Sequence, residues 1–187
     1  MYDVVIVGAG PAGLMAAAKL PKSFSFLIID KKDEIGLPLK CGEGIREKEF
    51  IKLFKTKDYS FVRNTVHQHQ IIYRNTKRTF KADYLQLDRP KFEKWLASQI
   101  RSRIKLKTKC KNIIIQKDYA EIITPKQKIK TKLVILTCGS NFNIQRKYKL
   151  TKKKPILLIC CGGIYKNHNL DPNKFYAYFN DKYMGYL

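Results

Sequence analysis

This 187-residue sequence has no long apolar run. Its first apolar run is short and ends at Gly8. A bilayer-spanning helix needs about 20 mostly apolar residues, so neither such a helix nor a secretory signal peptide is expected. These absences predict a cytoplasmic protein, either soluble or peripheral to a membrane.

Paired cysteine motifs are also missing. The five cysteines, Cys41, Cys110, Cys138, Cys160 and Cys161, form no CxxC pair. Their odd number and scattered positions favour a reducing, cytoplasmic setting over a disulfide framework. His67 and His69 share one face of a predicted strand, but no third ligand stands at zinc spacing, so two surface histidines and no metal site are predicted.

Acidic residues are scarce. The chain has 15 Asp and Glu against 38 Lys and Arg, a formal net charge of +23. Such a charge suits nucleic acid, an anionic membrane or an acidic ligand. The favoured interpretation is that the lysines only face solvent and bind no partner. Lysines at 105, 107, 109 and 111 alternate with less polar residues, which is typical of the solvated face of a sheet. The tyrosines form no RNA-stacking pattern, so nucleic acid is the less favoured partner.

A glycine-rich turn is the strongest motif in the chain. The apolar run Val4–Val7 predicts a buried parallel strand, and an alanine-rich helix is predicted from about Pro11 to Leu20. Between them, Gly8 permits a tight turn, Gly10 lets a pyrophosphate approach the backbone, and Gly13 lets the helix pack closely on the strand. The sequence therefore predicts a dinucleotide-binding unit with the phosphates at the helix N-terminus.

Asp30 ends the next predicted strand, which runs from about Phe24 to Ile29. A carboxylate at this place accepts hydrogen bonds from the ribose hydroxyls of an adenine dinucleotide. The motif by itself permits FAD or NAD, although a Gly-Ala-Gly-Pro-Ala-Gly turn so near the chain start is typical of FAD enzymes.

The remaining pattern predicts an α/β fold. Residues 45–54 and a segment opening at Arg89-Pro90 have helical spacing, and His67–Leu87 has the period of an antiparallel excursion. Further strands are predicted near 104–106, 113–116, 120–123 and 133–136. We expect a Rossmann-like FAD-binding domain over 1–150 and the start of a second antiparallel sheet, in a substrate domain, over 151–187.

Four segments carry a family resemblance. Glu34–Gly44 (EIGLPLKCGEG) closely resembles the EIGxPxxCGEG segment of the geranylgeranyl reductase family, FAD enzymes of the para-hydroxybenzoate hydroxylase fold group. Leu87–Leu96 resembles that family's L-x-R-x-x-F-D-x-x-L helix start. Leu133–Gly139 stands where the family has a strand ending in Ala-Asp-Gly. Residues 175–187 resemble the strand leading into its GYxWxFP motif.

The resemblance implies which residues contact FAD. They are Ala12, Asp30, Cys41, Gly42, Gly44, Arg89 and, through a looser match, Cys110, in addition to the glycines of the turn. Arg89 near a helix start could pair with the pyrophosphate, or be an ordinary solvated arginine. Cys41 is the candidate catalytic residue beside the flavin, or a small loop residue. Glu43 could donate a proton, but a loop role is favoured.

The resemblance also implies a function: FAD-dependent reduction of isoprenoid carbon–carbon double bonds on a geranylgeranyl lipid or prenyl diphosphate. The basic charge would suit peripheral contact with an anionic membrane. Two alternatives remain open. One is another flavin enzyme of the same fold group, such as a hydroxylase, and the other is an inactive fragment of a split gene that acts as a binding module.

Two departures from the family pattern bear on activity. Cys138 replaces the Asp of Ala-Asp-Gly, and the chain stops at Leu187, inside the GYxWxFP motif. We therefore expect a truncated chain that matches only the N-terminal half of the family, with a second chain as one source of the missing half.

Overall fold

The computed structural model describes residues 1–39, 43–140, 142–150, 168–180 and 184–186. The described residues form two compact units, the first drawn from 1–39 and 93–157 and the second from 40–92 and 158–187. The predicted domain boundary near residue 150 lies beside residues outside this description and stays a prediction. The predicted strand over 156–165 also lies outside it.

Eleven strands and four helices occur in the described part of the chain. In chain order they are β1 (Tyr2–Val7), α1 (Pro11–Lys19), β2 (Phe26–Ile29), β3 (Gly44–Arg46), α2 (Glu47–Phe54), β4 (Val62–Tyr73), β5 (Thr76–Leu87), α3 (Arg89–Ser98), β6 (Ile104–Lys105), β7 (Asn112–Ile115), β8 (Ala120–Ile123), β9 (Lys128–Leu136), α4 (Asn143–Lys147), β10 (Lys174–Phe179) and β11 (Met184–Tyr186).

The first unit is built on a six-stranded sheet in the order β6-β2-β1-β9-β8-β7. The pairs β6–β2, β2–β1 and β1–β9 are parallel, whereas β7, β8 and the start of β9 pair antiparallel. Val4–Val7 of β1 and all four residues of β2 are buried, which explains their continuous apolar sequences. Alternate residues Val5, Val7, Leu27 and Ile29 pack in one cluster with the apolar side chains of β7, β8 and β9.

The second unit is built on a five-stranded sheet in the order β11-β10-β4-β5-β3. Its centre is the long β4–β5 hairpin, which confirms the predicted antiparallel excursion. Strand β10 pairs with β4 in parallel, so the excursion and the strand near 175–179 share one sheet. The α/β fold class predicted from the sequence is therefore confirmed.

An aromatic cluster stabilises the second unit. The Phe50 side chain of α2 is fully buried, and its ring lies 4.9 Å from Phe54, 5.8 Å from Phe61 and 6.3 Å from Phe92. Such tilted and edge-on pairs contribute about 0.5–1.5 kcal/mol each beyond the apolar area they bury.

Helix α2 begins later than its apolar spacing predicts. The prediction placed residues 45–54 in the helix, but Gly44–Arg46 pair with Tyr84–Gln86 as strand β3, and the helix starts at Glu47. Residues 45 and 46 therefore form sheet hydrogen bonds with β5 although their apolar spacing is helical. Within the described residues no helix combines the length and hydropathy needed to cross a membrane.

The alternating lysines do not form one sheet face. Strand β6 ends at Lys105, and Lys107 has a left-handed backbone with φ of 53°. The segment turns here because the Lys107 amide donates to the Lys32 carbonyl and the Thr108 amide donates to the Asp30 carbonyl. Contacts with the loop after β2 therefore override the period-two pattern.

Candidate dinucleotide-binding site

The turn after β1 needs glycine at its first position. Gly8 has φ of +121°, a region that L side chains rarely adopt, and its amide donates to the Ile29 carbonyl at 2.8 Å. A Cβ atom at Gly8 would lie 2.3 Å from the Thr137 carbonyl oxygen. Any side chain would therefore force β1 and the end of β9 apart.

Gly13 needs glycine for a different reason. It lies in the first turns of α1, and a Cβ atom there would lie 1.9 Å from the Gly8 carbonyl oxygen and 2.7 Å from Thr137 Oγ1. This close approach brings the helix N-terminus over the end of β1, as the sequence predicted for this position.

Gly10, by contrast, faces open space. A Cβ atom built there meets no atom within 4 Å, and the residue has an extended backbone with φ of −85°. It is the N-cap of α1 and provides no side-chain cap, so the amides of the first turn, which includes the exposed Ala12, keep their capacity to donate. A pyrophosphate group fits this open, amide-lined place.

Asp30 is held in position by backbone amides. Its side chain is buried, the Ala9 amide donates to Oδ2 at 2.6 Å, and the Lys32 amide donates to Oδ1 at 2.9 Å. Each carboxylate oxygen can accept a further hydrogen bond, so ribose hydroxyls can still be bound. The hydrogen bond from the Ala9 amide therefore joins the glycine turn to the Asp30 carboxylate at the end of β2.

Thr137 is a residue of this site that the sequence interpretation missed. Its hydroxyl oxygen lies 2.9 Å from the Gly8 carbonyl oxygen and 3.1 Å from that of Val7, so its one hydrogen is shared between them or donated to either. Its amide donates to the Val7 carbonyl at 2.9 Å. The Thr137 side chain thus connects the Gly8 turn to the end of β9. In the sequence, Thr137 is marked only by its position directly after a predicted strand. That position points to the Gly8 turn only once β9 is known to pair with β1.

Two thiols lie next to this site. Cys110 and Cys138 are half-buried and pack against the apolar cluster of the first sheet. Burial raises the pKa of Cys110 to about 11, and burial followed by the charge of Asp30 raises the pKa of Cys138. Both thiols are therefore protonated at neutral pH, and the Cys138 thiol donates to the Val7 carbonyl at 3.5 Å. A Cys110 contact with adenine stays a prediction.

The other predicted cofactor residues belong to the second unit or lie outside the described residues. Gly44 is exposed at the start of β3, and Arg89 is half-buried at the start of α3. Cys41 and Gly42 are outside the described part of the chain. The roles of all four with the cofactor remain predictions.

Glu43 is part of an ion-pair network in the second unit. Its carboxylate lies 3.5 Å from Arg63, and Arg63 lies 3.4 Å from Asp88 at the start of α3. The Glu43 backbone is left-handed with φ of 62°, and its carbonyl accepts from the Leu87 amide. These contacts fit the favoured loop role, since they fix the chain directly after Gly42.

The two histidines of β4 have separate partners. His67 Nδ1 lies 2.9 Å from Asp83 Oδ1, while the His69 ring lies 5.2 Å from the Phe175 ring. Among the described residues no three histidine, cysteine or acidic side chains are grouped as a metal site would require.

Comparison with known proteins agrees with this geometry. A family profile described as pyridine nucleotide-disulphide oxidoreductase matches residues 5–158. A digeranylgeranylglycerophospholipid reductase from Methanocaldococcus jannaschii is 32% identical over 197 residues, covering 97% of this chain and 50% of the relative. The chain thus spans about half the length of this curated relative.

Solved structures share the fold. A geranylgeranyl bacteriochlorophyll reductase-like protein from Thermoplasma acidophilum is 26% identical with a TM-score of 0.76, over 96% of this chain and 50% of that one. A halogenase in complex with phloroglucinol and FAD, 16% identical with a TM-score of 0.62 over 79% of this chain and 36% of that one, shows the fold alone. The resemblance to the geranylgeranyl reductase family is therefore confirmed, and the chain belongs to the pyridine nucleotide-disulphide oxidoreductase family.

Proposed function

We propose that the chain binds FAD at the turn after β1 and forms the dinucleotide-binding part of a flavoprotein that reduces double bonds of geranylgeranyl lipids. The observation that carries the FAD part is the open backbone at Gly10, next to an Asp30 carboxylate fixed by the Ala9 amide. The names of the relatives support the lipid part.

The residues of the first unit have distinct tasks in this proposal. The pyrophosphate lies against Gly10 and Ala12, where the amides of α1 and the helix dipole favour negative charge. Asp30 accepts hydrogen bonds from the ribose hydroxyls, and its negative charge disfavours a 2′-phosphate. Cys110 contacts the adenine through its backbone.

The remaining predicted contacts come from residues 41–89. Arg89 pairs with the pyrophosphate, and Cys41, Gly42 and Gly44 contact the flavin end of the cofactor. Glu43 pairs with Arg63 and has a structural role rather than one in proton transfer. When bound and reduced, the flavin supplies the hydride for the alkene. The substrate is an isoprenoid lipid, and the basic charge favours contact with an anionic membrane surface.

An FAD titration tests the cofactor assignment. Binding is followed by flavin fluorescence for the unaltered chain, for Asp30→Ala and for the matched control Asp33→Ala, whose side chain is 85% exposed. Asp30→Ala should weaken FAD binding about tenfold or more, since it removes a charge-assisted contact of about 1.5–3 kcal/mol. FMN lacks the adenosine half and should bind poorly to all three. Equal affinity of both variants for FAD would contradict the assignment.

A second assay tests the substrate assignment separately. The FAD-loaded chain is reduced chemically and incubated with a geranylgeranyl lipid, and the lipid is analysed by mass spectrometry. Addition of two hydrogens per double bond is expected. Tight FAD binding without hydrogen addition would reject the lipid and keep the dinucleotide site, whereas a product that gained oxygen would favour a hydroxylase.

A further inference from the structure

A cavity lies in the first unit, lined by residues of β1, β2, β6, β8 and β9. Its volume is about 460 Å³, within the range of roughly 300–1,000 Å³ that small-molecule sites have. None of its lining residues is Gly8, Gly10, Gly13 or Asp30. The cavity is therefore separate from the dinucleotide-binding site.

Positive side chains line this cavity. Arg103 and Lys105 come from the segment of β6, and Lys128 and Lys130 come from β9. The only acid among the lining residues is Glu121, and its carboxylate lies 3.8 Å from Lys130 Nζ. Within the described part of the chain, no carboxylate pairs with Arg103, Lys105 or Lys128. The excess of positive charge along this wall would attract an anionic ligand.

Apart from Gln127, the other residues of the cavity wall are apolar. Leu27 of β2 and Ile129 of β9 are buried at its base, while the side chains of Met1 and Tyr2 are exposed and offer apolar surface to a ligand. A bare inorganic anion would leave this apolar surface uncovered. A ligand that joins an anionic group to an apolar or aromatic body would satisfy both parts of the wall.

We propose that this cavity is a ligand site for an organic phosphate, with the phosphate bound by Arg103 and Lys128 and the apolar body against Met1 and Tyr2. Arginine and lysine are the usual phosphate-binding side chains. Two sources share this chemistry, namely a soluble phosphate ester and the headgroup of a phospholipid. Electrostatic attraction predicts that binding weakens as salt rises.

The test uses phenyl phosphate as the soluble probe, measured by isothermal titration calorimetry on the full chain. The double variant Arg103→Gln with Lys128→Gln should weaken binding at least tenfold. Glu121→Gln removes the only acid of the cavity and should strengthen binding several-fold. These opposite effects separate a binding role from simple misfolding, because an unfolded variant cannot bind more tightly.

A matched control removes two positive charges elsewhere. Lys48→Gln with Lys52→Gln alters two exposed lysines of α2 and should leave phenyl phosphate binding unchanged. Absence of binding to the unaltered chain, or equal losses in both double variants, would overturn the proposal. Equal losses would show that overall charge attracts the anion.

Vesicles of phosphatidylglycerol distinguish the two sources. If the cavity takes a lipid headgroup, the Arg103 and Lys128 double variant should sediment with the vesicles much less than the α2 control does. If both variants sediment equally while only the cavity variant loses phenyl phosphate, the natural ligand is a soluble phosphate ester.

Discussion

Gly10 and Gly13 stand three residues apart in one turn, yet their surroundings differ. At Gly13 a Cβ atom would overlap the Gly8 carbonyl oxygen, whereas at Gly10 it would meet nothing within 4 Å. Packing of the protein itself thus requires glycine at position 13. Packing does not require glycine at position 10, and the pyrophosphate contact proposed above would be a reason for it.

This difference predicts opposite results for two alanine variants. Gly13→Ala should lower the free energy of unfolding by about 1–3 kcal/mol or more, because the clash is with backbone. Gly10→Ala should change stability little, since its φ of −85° suits alanine, but should weaken FAD binding. Urea unfolding and flavin fluorescence measure the two effects. A destabilised Gly10→Ala variant would contradict this account.

The thiol of Cys110 gives a second prediction at the residue scale. Its pKa of about 11, raised by burial, leaves very little thiolate at pH 8. Alkylation by iodoacetamide should therefore be about 100-fold slower in the folded chain than in the chain unfolded by urea. Mass spectrometry of the Cys110 peptide measures the rate. Equal rates in the two states would show that the thiol is neither buried nor shifted in pKa.

Strand β9 is the element that connects the two parts of the first sheet. Its first half pairs with β8, its second half pairs with β1, and the fully buried Thr131 takes part in both pairings. Asp3 of β1 strengthens the junction. Its carboxylate accepts from Lys132 Nζ at 2.8 Å and from the Ser25 hydroxyl at 2.7 Å, so it joins β1 to β9 and to the residue before β2.

Acid should weaken this junction. The hydrogen bonds from Lys132 and then Ser25 hold the pKa of Asp3 well below its usual value, so the carboxylate stabilises the fold above the unfolded-state pKa of about 3.9. That contribution is lost as the pH falls through the folded-state pKa. Asp3→Asn should be less stable than the unaltered chain at pH 7, and the difference should shrink progressively below about pH 4.

Urea unfolding at several pH values measures the effect, with Asp33→Asn as the control. The Asp33 carboxylate is largely exposed and lies 3.8 Å from Lys107, so its replacement should give a small difference. A stability difference for Asp3→Asn that stays constant with pH would exclude the carboxylate charge as its cause.

At the scale of the whole molecule, the net charge of +23 is the dominant feature. The chain has 38 Lys and Arg but 15 Asp and Glu, so 23 cations would lack an acidic partner even if every carboxylate paired with one of them. Most ion pairs among the described residues involve exposed side chains, which contribute about 0–1 kcal/mol each. The compact chain therefore carries considerable self-repulsion, which salt screens.

The melting temperature should consequently rise when sodium chloride is increased from 10 to about 150 mM, where the screening length falls to about 8 Å. Differential scanning fluorimetry measures the shift. Phenyl phosphate at the same ionic strength should add a further increase if it binds the cavity lined by Arg103 and Lys128. A melting temperature that falls with salt would mean that attractive pairs outweigh the repulsion.

Local sequence was sufficient for the core of the dinucleotide-binding unit. The apolar run of β1, the glycine spacing and the acid at the end of β2 depend on neighbours in the chain and on the geometry of one turn, so their arrangement could be predicted. The helix at Arg89-Pro90 and the β4–β5 hairpin were predictable for the same reason, because their periodicities are long and regular.

Tertiary structure decided the rest, because strand neighbours are far apart in sequence. Thr137 supports the Gly8 turn only because β9 lies beside β1, and Gly44–Arg46 leave the helical pattern because β5 offers an edge to pair with. The chain leaves the predicted sheet at Lys107 because the amides of Lys107 and Thr108 donate to the carbonyls of Lys32 and Asp30 after β2. The cavity beside Leu27 likewise brings together charges from β6 and β9, which no local pattern connects.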